Sequence, residues 1–308
     1  MDRTDVPEIP ETHPASLTYR AATAGVVFGL PALLLQAMRK RWLMATPINC
    51  FIFVVTYLVT GLGVTVGYHR LLTHKSFETT PLIRKIFAIF GSAAVQGSPV
   101  DWVAEHHKHH TYADEEGDPH SPHVDHKGGL FRGFIHAHFG WLFNKERATR
   151  ERFAPYLLKD PDIMAIHRRF PQIVLASYVV PFAGGLIVTR KLRGGLGALL
   201  WGGVLRIFFV HHATWSVNSL SHMYGERRFQ TGDESRNNLL VVLFGLGEGW
   251  HHNHHAFPRS AWHGLGNWLD PSWWLILALE KSGLAWDVVR ITPEEIEKKL
   301  AEPELIAA

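Results

Sequence analysis

Four stretches of this 308-residue chain are too long and too apolar to be ordinary soluble helices, and they limit what it can fold into. Crossing a bilayer takes about 20 apolar residues. The runs at Leu17–Met38, Thr46–Tyr68, Gln172–Val188 and Gly195–Val217 lie near or past that length. Pro181 and two glycines interrupt the third, which membrane helices tolerate when neighbours satisfy the freed backbone groups. Short basic loops, Arg39-Lys40-Arg41 and then Arg190, Lys191 and Arg193, join the runs in pairs. Two hairpins put both loops at one end, so the polar segments 99–170 and 223–308 gather at the other. The expected fold is an all-α integral membrane protein of four transmembrane helices in two hairpins, capped on one side by a helical, histidine-rich segment. Leu82 to Val95 is too short to span and is expected as a buried or interfacial helix. Residues 1–16, with three prolines and no apolar period, read as a disordered or surface-lying tail. A single domain over 17–290 and a C-terminal tail over 291–308, with a short amphipathic helix, complete the division.

Histidine is the outlying residue type, with 21 copies. In DWVAEHHKHHTYADEEGDPHSP, residues 101–122, His106, His109 and His110 are spaced i, i+3, i+4. On a helix that set shares one face, so the three imidazoles are expected to converge on one point. His107 lies about 100° further round and points elsewhere. EGWHHNHH repeats the spacing with His251, His254 and His255, leaving His252 off the face. His69 and His74, in GYHRLLTH, are five apart and cannot share a face of an ideal α-helix. A helix ending near His69, with His74 turning back, would bring both to one centre. His222 in NSLSH adds a further ligand, with Asn218 one turn before it.

Nine such histidines are too many for one zinc, which is usually four-coordinate. They suit two metals with four or five ligands each. A redox metal with imidazole ligands and open positions activates oxygen, which favours iron over zinc. Because metal-bound imidazoles usually donate their other N–H to a carboxylate or carbonyl, Glu105, Asp118 and Glu248 are candidate partners. His120, His123, His126, His136 and His138 show no repeated spacing, and His211 lies too deep in its span to reach the same metal. Arg236, Asn237 and Asn238 read as a helix start near the site. Trp250, Trp262, Trp268, Trp273 and Trp274 read as interfacial packing.

Composition narrows the rest. Cys50 is the only cysteine, which excludes intramolecular disulfides and thiolate-held iron–sulfur clusters. Electrons must then come through a partner protein or a flavin carrier. A net charge of +3 gives nucleic-acid binding no broad electrostatic support. The polar, acidic N-terminus does not read as a cleaved signal peptide. Basic hairpin loops argue for the cytoplasm by the positive-inside rule, but the charged histidine-bearing segments obey that rule weakly, so charge leaves the orientation open.

With these groups placed, the chain resembles the membrane-bound fatty-acid desaturases, in the Δ9 acyl-CoA and acyl-lipid (stearoyl-CoA desaturase-like) branch and of bacterial type. The matching motifs are HRLLTH at 69–74, HHKHH at 106–110, NSLSH at 218–222 and EGWHHNHH at 248–255. Gly97, Trp102, Asp118-Pro119-His120, Thr214-Trp215 and GDESRNN at 232–238 accompany them, and the likeness runs from about residue 45 to 280. It implies that His69, His74, His106, His109, His110, His222, His251, His254 and His255 bind two irons, with Asn218 approaching one through a water. Asp118, His120 and Glu248 would stand behind the ligands. It further implies O2 as co-substrate and a saturated acyl chain on CoA or a lipid ester. The active site would face the cytoplasm from a bacterial inner membrane. An external electron donor would be a ferredoxin, a cytochrome b5-like protein or a flavin reductase. Trp262 departs from the arginine usual after Ser-Ala, near where the substrate's polar end is read, which leaves the acyl carrier open. The rival enzyme reading is a membrane di-iron hydroxylase, and the rival outside enzymes is a metal transporter.

Overall fold

In the computed structural model, which describes residues 9–42, 44–124 and 129–300, helices dominate and the only sheets are two short antiparallel pairs. Among the described residues, four helices are long and apolar enough to cross a membrane: α1 (Leu17–Arg39), α2 (Pro47–Thr73) and, after the cap segments, Phe170–Thr189 and Leu192–Met223. Two of the four are much longer than a bilayer needs. At ~1.5 Å per residue or a little less, 27 residues reach at most about 40 Å and 32 at most about 48 Å, against a hydrocarbon core of about 30 Å. The surplus carries His69 and His222 past the apolar zone.

Between the hairpins lie α3 (Pro81–Ala93), α4 (Pro99–Tyr112) and α5 (Gly129–His138), followed by α6 (Phe170–Thr189) and α7 (Leu192–Met223). The cap is completed by α8 (Leu239–Phe244), α9 (His251–Ala256), α10 (Pro271–Lys281) and α11 (Pro293–Lys299). A recurrent start signal sets many of these boundaries. Thr46, Thr80, Ser98, Asp270 and Thr292 each precede a proline at the first helical position and accept a backbone N–H of the first turn. Proline lacks only an N–H that would be orphaned there, and the cap oxygen satisfies another.

The apolar, non-spanning segment is α3, which buries Phe87, Ala88 and Gly91 against α2. Gly63 and Gly91 let the two backbones meet: a Cβ on Gly63 would lie 2.3 Å from Gly91 N. Gly63→Ala is therefore expected to cost about 1–3 kcal/mol by forcing α3 away. A lowered apparent melting temperature of the detergent-purified protein checks this. On the other side α7 clamps the end of α3. The buried Arg206 donates to the carbonyls of Gly202, Ala93 and Ser177, and His211 Nε2 bonds Ala94 O. These bonds satisfy backbone carbonyls that lipid could not.

One expectation changes. Within the stretch read as a disordered tail, Thr12–Pro14 pairs antiparallel with Glu146–Ala148, so this part is fastened to the cap. Short polar strands of this kind carry no apolar period to betray them. At the other end α11 has a capping box, and Lys299 Nζ donates to Ala256 O, fastening part of the C-terminal tail as well.

Candidate metal centre

Helix α2 ends in an unexpected winding. Residues 63–73 follow π rather than α geometry, and His74 N bonds His69 O five residues back. A π turn takes more residues than an α turn, so positions five apart come onto one face. The helix therefore does not stop near His69. It continues to Thr73, and the His69 and His74 rings lie 4.8 Å apart between centroids.

The i, i+3, i+4 sets do not each converge on one point. On α4, His106 and His110 join His69, His74 and His254, whereas His109 joins His222, His251 and His255. The reason is angular. His109 and His110 point about 100° apart, so one helix face can serve two centres. Helix α9 makes the reciprocal division, giving His251 and His255 to the four-histidine cluster and His254 to the other. The donor atoms of each cluster lie within 4.8 Å of one another. In the first, Nε2 atoms face each other at 3.1 Å (His69–His254), 3.0 Å (His74–His106) and 2.9 Å (His110–His254). In the second, His222 and His251 face at 3.0 Å and His109 and His255 at 3.3 Å.

Four rings have their other nitrogen engaged by a carboxylate. His69 Nδ1 meets Glu248 at 2.5 Å, His109 meets Asp118 at 3.0 Å, His222 meets Asp114 at 2.7 Å and His255 meets Asp233 at 3.0 Å. With Nδ1–H donated outward, each ring turns its Nε2 lone pair into the cluster. Burial first, and then the neighbouring rings, hold His74, His106, His110, His251 and His254 well below the ordinary imidazole value. Asp114, Asp118 and Asp233 stay below the usual carboxylate range: burial would raise them, but their histidine partners outweigh it. Where Nδ1–H is donated outward to a carboxylate, the facing Nε2 atoms have no proton to share, and a cation in each cluster would satisfy their lone pairs. The donor set fits two metal ions.

Both clusters close the end of a cavity between α2 and α7. It is lined by His69, His106, His109 and His251 at one end and by Tyr57 and Phe244 at the other, with Asn218 on its wall. Trp102 stacks on His106 at 4.9 Å.

The remaining candidates fall outside the clusters. His120 stacks on His109 at 4.3 Å. Glu105 accepts from Ala148 N and Arg147, so it anchors the cap strand and supports no clustered histidine. His107 bonds Phe153 O, and His252 bonds Ser235 and Phe229, both turned away as their spacing requires. His123 reaches His222 O, and His138 bonds Ser219 and His212. His136 is half-buried on α5, and His126 lies outside the described residues. Asn238 caps α8, while Asn237 ties to Asn253 at 2.8 Å. Trp262 stacks on Trp273 and Trp268 on Trp274.

Sequence reasoning missed Arg70, Asp114, Asp233, His263 and Asp270. Arg70 is fully buried and donates to Glu248, Asp270, Ala261 O and Thr65 O. His263, buried behind the first cluster, lies 4.5 Å from the His254 ring and 4.0 Å from Glu248. Arg70 sits inside HRLLTH and Asp233 inside GDESRNN, so the motifs held the signal even though periodicity did not.

The fatty acid desaturase family model matches residues 17–286. A hex-5-enoyl-acyl-carrier-protein acetylenase from Moorena producens (strain JHB) is 39% identical over 84% of this chain and 83% of its own length. An sn-1 stearoyl-lipid 9-desaturase from Anabaena variabilis is 37% identical over 75% of this chain and 80% of its own. A chloroplastic palmitoyl-monogalactosyldiacylglycerol delta-7 desaturase from Arabidopsis thaliana is 39% identical over 79% of this chain and 62% of its own. The matched segment takes in all four long helices and every histidine of both clusters, and on that extent the chain belongs to the fatty acid desaturase family, whose members are oxidoreductases.

Proposed function

We propose that this chain is an O2-dependent fatty-acyl desaturase that introduces a cis double bond, at Δ9, into a saturated acyl chain carried on CoA or a lipid. The reading rests on one observation above all: two buried imidazole clusters stand at the head of a cavity that runs between the long helices. His69, His74, His106, His110 and His254 would hold one iron. His109, His222, His251 and His255 would hold the other, with Asn218 reaching it through a water. The stearoyl-lipid 9-desaturase relative supports the Δ9 position. The other two relatives act at different positions and on different carriers by their names, so the product decides.

When reduced by an external donor (a ferredoxin, a cytochrome b5-like protein or a flavin reductase) and supplied with O2, the iron pair provides an oxidant strong enough to take hydrogen from an unactivated methylene. The protein does the positioning. Tyr57, Gly61 and Val64 on α2, with Trp102 and Val210, line the cavity and would meet the acyl chain. Holding one C–C pair at the head of the cavity converts a difficult encounter into an oriented one. The carboxylates behind His69, His109, His222 and His255 keep the ligand nitrogens aimed while the chain moves through. The site would lie beside the bilayer of a bacterial inner membrane and face the cytoplasm, and the four long apolar helices support the membrane setting.

Fatty-acid methyl ester analysis of cells expressing the chain tests the reading. A new monoene, located by derivatising the double bond, is the expected product; a hydroxylated acyl chain would replace desaturation by hydroxylation. The far end of the cavity supplies a second test. Tyr57 lies twelve residues before His69 on α2, and its hydroxyl donates to Phe244 O at 2.5 Å. Tyr57→Ala opens that end. One methylene in an apolar pocket is worth about 1–3 kcal/mol, so the product profile is expected to shift toward longer chains.

A further inference from the structure

The two clusters differ in what stands behind them. Three of the four rings in the four-histidine cluster donate to an aspartate: His109 to Asp118, His222 to Asp114 and His255 to Asp233. Each aspartate is also fixed by backbone donors. Asp114 accepts from Glu234 N at 2.8 Å, Asp118 from Asp114 N at 2.9 Å and His120 N at 3.0 Å, and Asp233 from Ser235 N at 2.9 Å. In the five-histidine cluster, Glu248 is the one carboxylate bonded to a ring among the described residues, and Arg70 sits on it. Arg70 also faces Asp270, which reaches the His69 ring only through Arg70 and Glu248. Arg227, beside Asp233, is bonded to Glu234 at 2.7 Å and to the backbone carbonyl of Asp233. Three carboxylates therefore bear on one metal position, and one neutralised carboxylate bears on the other.

We propose that these surroundings make the two iron positions unequal, so that the four-histidine position keeps the more oxidised ion and the five-histidine position takes the first electron. This rests on the di-iron reading above. An anion hydrogen-bonded to a ligand raises the ligand's basicity and favours the higher charge on the metal. In a buried site salt screens that influence little. The electron balance is simple: one equivalent of dithionite-derived reductant converts one of two ferric ions to ferrous, and the five-histidine position receives it. The arrangement gives incoming electrons an order. The first enters where Arg70 offsets the local anion, and the second goes to the aspartate-backed ion.

The test uses the full chain in detergent, loaded with 57Fe and reduced by one electron equivalent of dithionite, read by Mössbauer spectroscopy and iron analysis. The wild type is expected to show one ferric and one ferrous component. Asp118→Asn and Asp233→Asn, which keep a side-chain oxygen for the histidine, are expected to alter only the ferric lines. They should also weaken one of two iron equivalents about 10–100-fold. Glu248→Gln is expected to alter only the ferrous lines. Reduction of both ions together with no mixed state overturns the inference, as does Glu248→Gln acting on the ferric component. If one aspartate variant fails to fold, the other carries the comparison. A folded wild type that binds no iron overturns the di-iron reading itself, a different result from two equivalent irons.

Discussion

Replacing His109 by alanine is expected to remove the new monoene altogether and to lower bound iron from two per chain toward one. His109 is buried, its Nε2 faces His255 and its Nδ1 is held by Asp118. Loss of a residue that merely supports a metal ligand typically costs 10–100-fold in affinity or activity, so loss of a ligand, the part proposed for His109, should exceed about 100-fold. The informative control is two residues away. His107→Ala removes a bond to Phe153 O on the far side of the same helix, a contact worth about 1 kcal/mol, and should leave both product and iron in place. Methyl ester analysis beside iron quantification reads both variants. Equal product from His109→Ala and wild type would leave the clusters without a catalytic part.

The contrast between these neighbours shows what a sequence can carry. Helical spacing separates His109 from His107 correctly because side-chain direction follows 3.6 residues per turn wherever the winding is regular. Hydropathy likewise locates the four long helices, since apolar length answers to the bilayer alone. Where the winding departs from α, spacing still brings His69 and His74 to one centre but by the wrong route: they share a face because residues 63–73 are π-wound, not because the helix stops near His69. Spacing also could not divide one face between two centres. That division needs α9 opposite α4, with one helix supplying the pair and the other the single ring at each position. Asp114 and Asp233 escaped periodicity for a related reason. They lie on irregular segments, where no period marks them, and meet His222 and His255 across 108 and 22 residues. Thr12–Pro14 shows the same limit at the surface, where pairing with Glu146–Ala148 is set by a distant partner.

Arg70→Met is expected to be the most damaging substitution away from the ligands. The guanidinium is wholly buried and joins Glu248 to Asp270. Asp270 in turn accepts from His263 N and Gly264 N and caps α10 through Trp273 N. Burial pushes Asp270 above the usual carboxylate range against the pull of Arg70, whereas Arg70 and His69 overcome burial at Glu248 and hold it below. Removing the one cation leaves two acids facing each other in a dry site. Breaking a buried pair from one side costs about 3–5 kcal/mol, and the apparent unfolding temperature should fall by roughly 10 °C. Because bound metal adds stability of its own, the comparison belongs in metal-free protein, where only the charge set differs. Adding Glu248→Gln and Asp270→Asn to Arg70→Met should then recover part of the loss, since the uncompensated charges leave with the cation. A triple variant no more stable than Arg70→Met would mean that the arginine acts through its bonds to Ala261 O and Thr65 O. In that case its role would be to brace the backbone around the site.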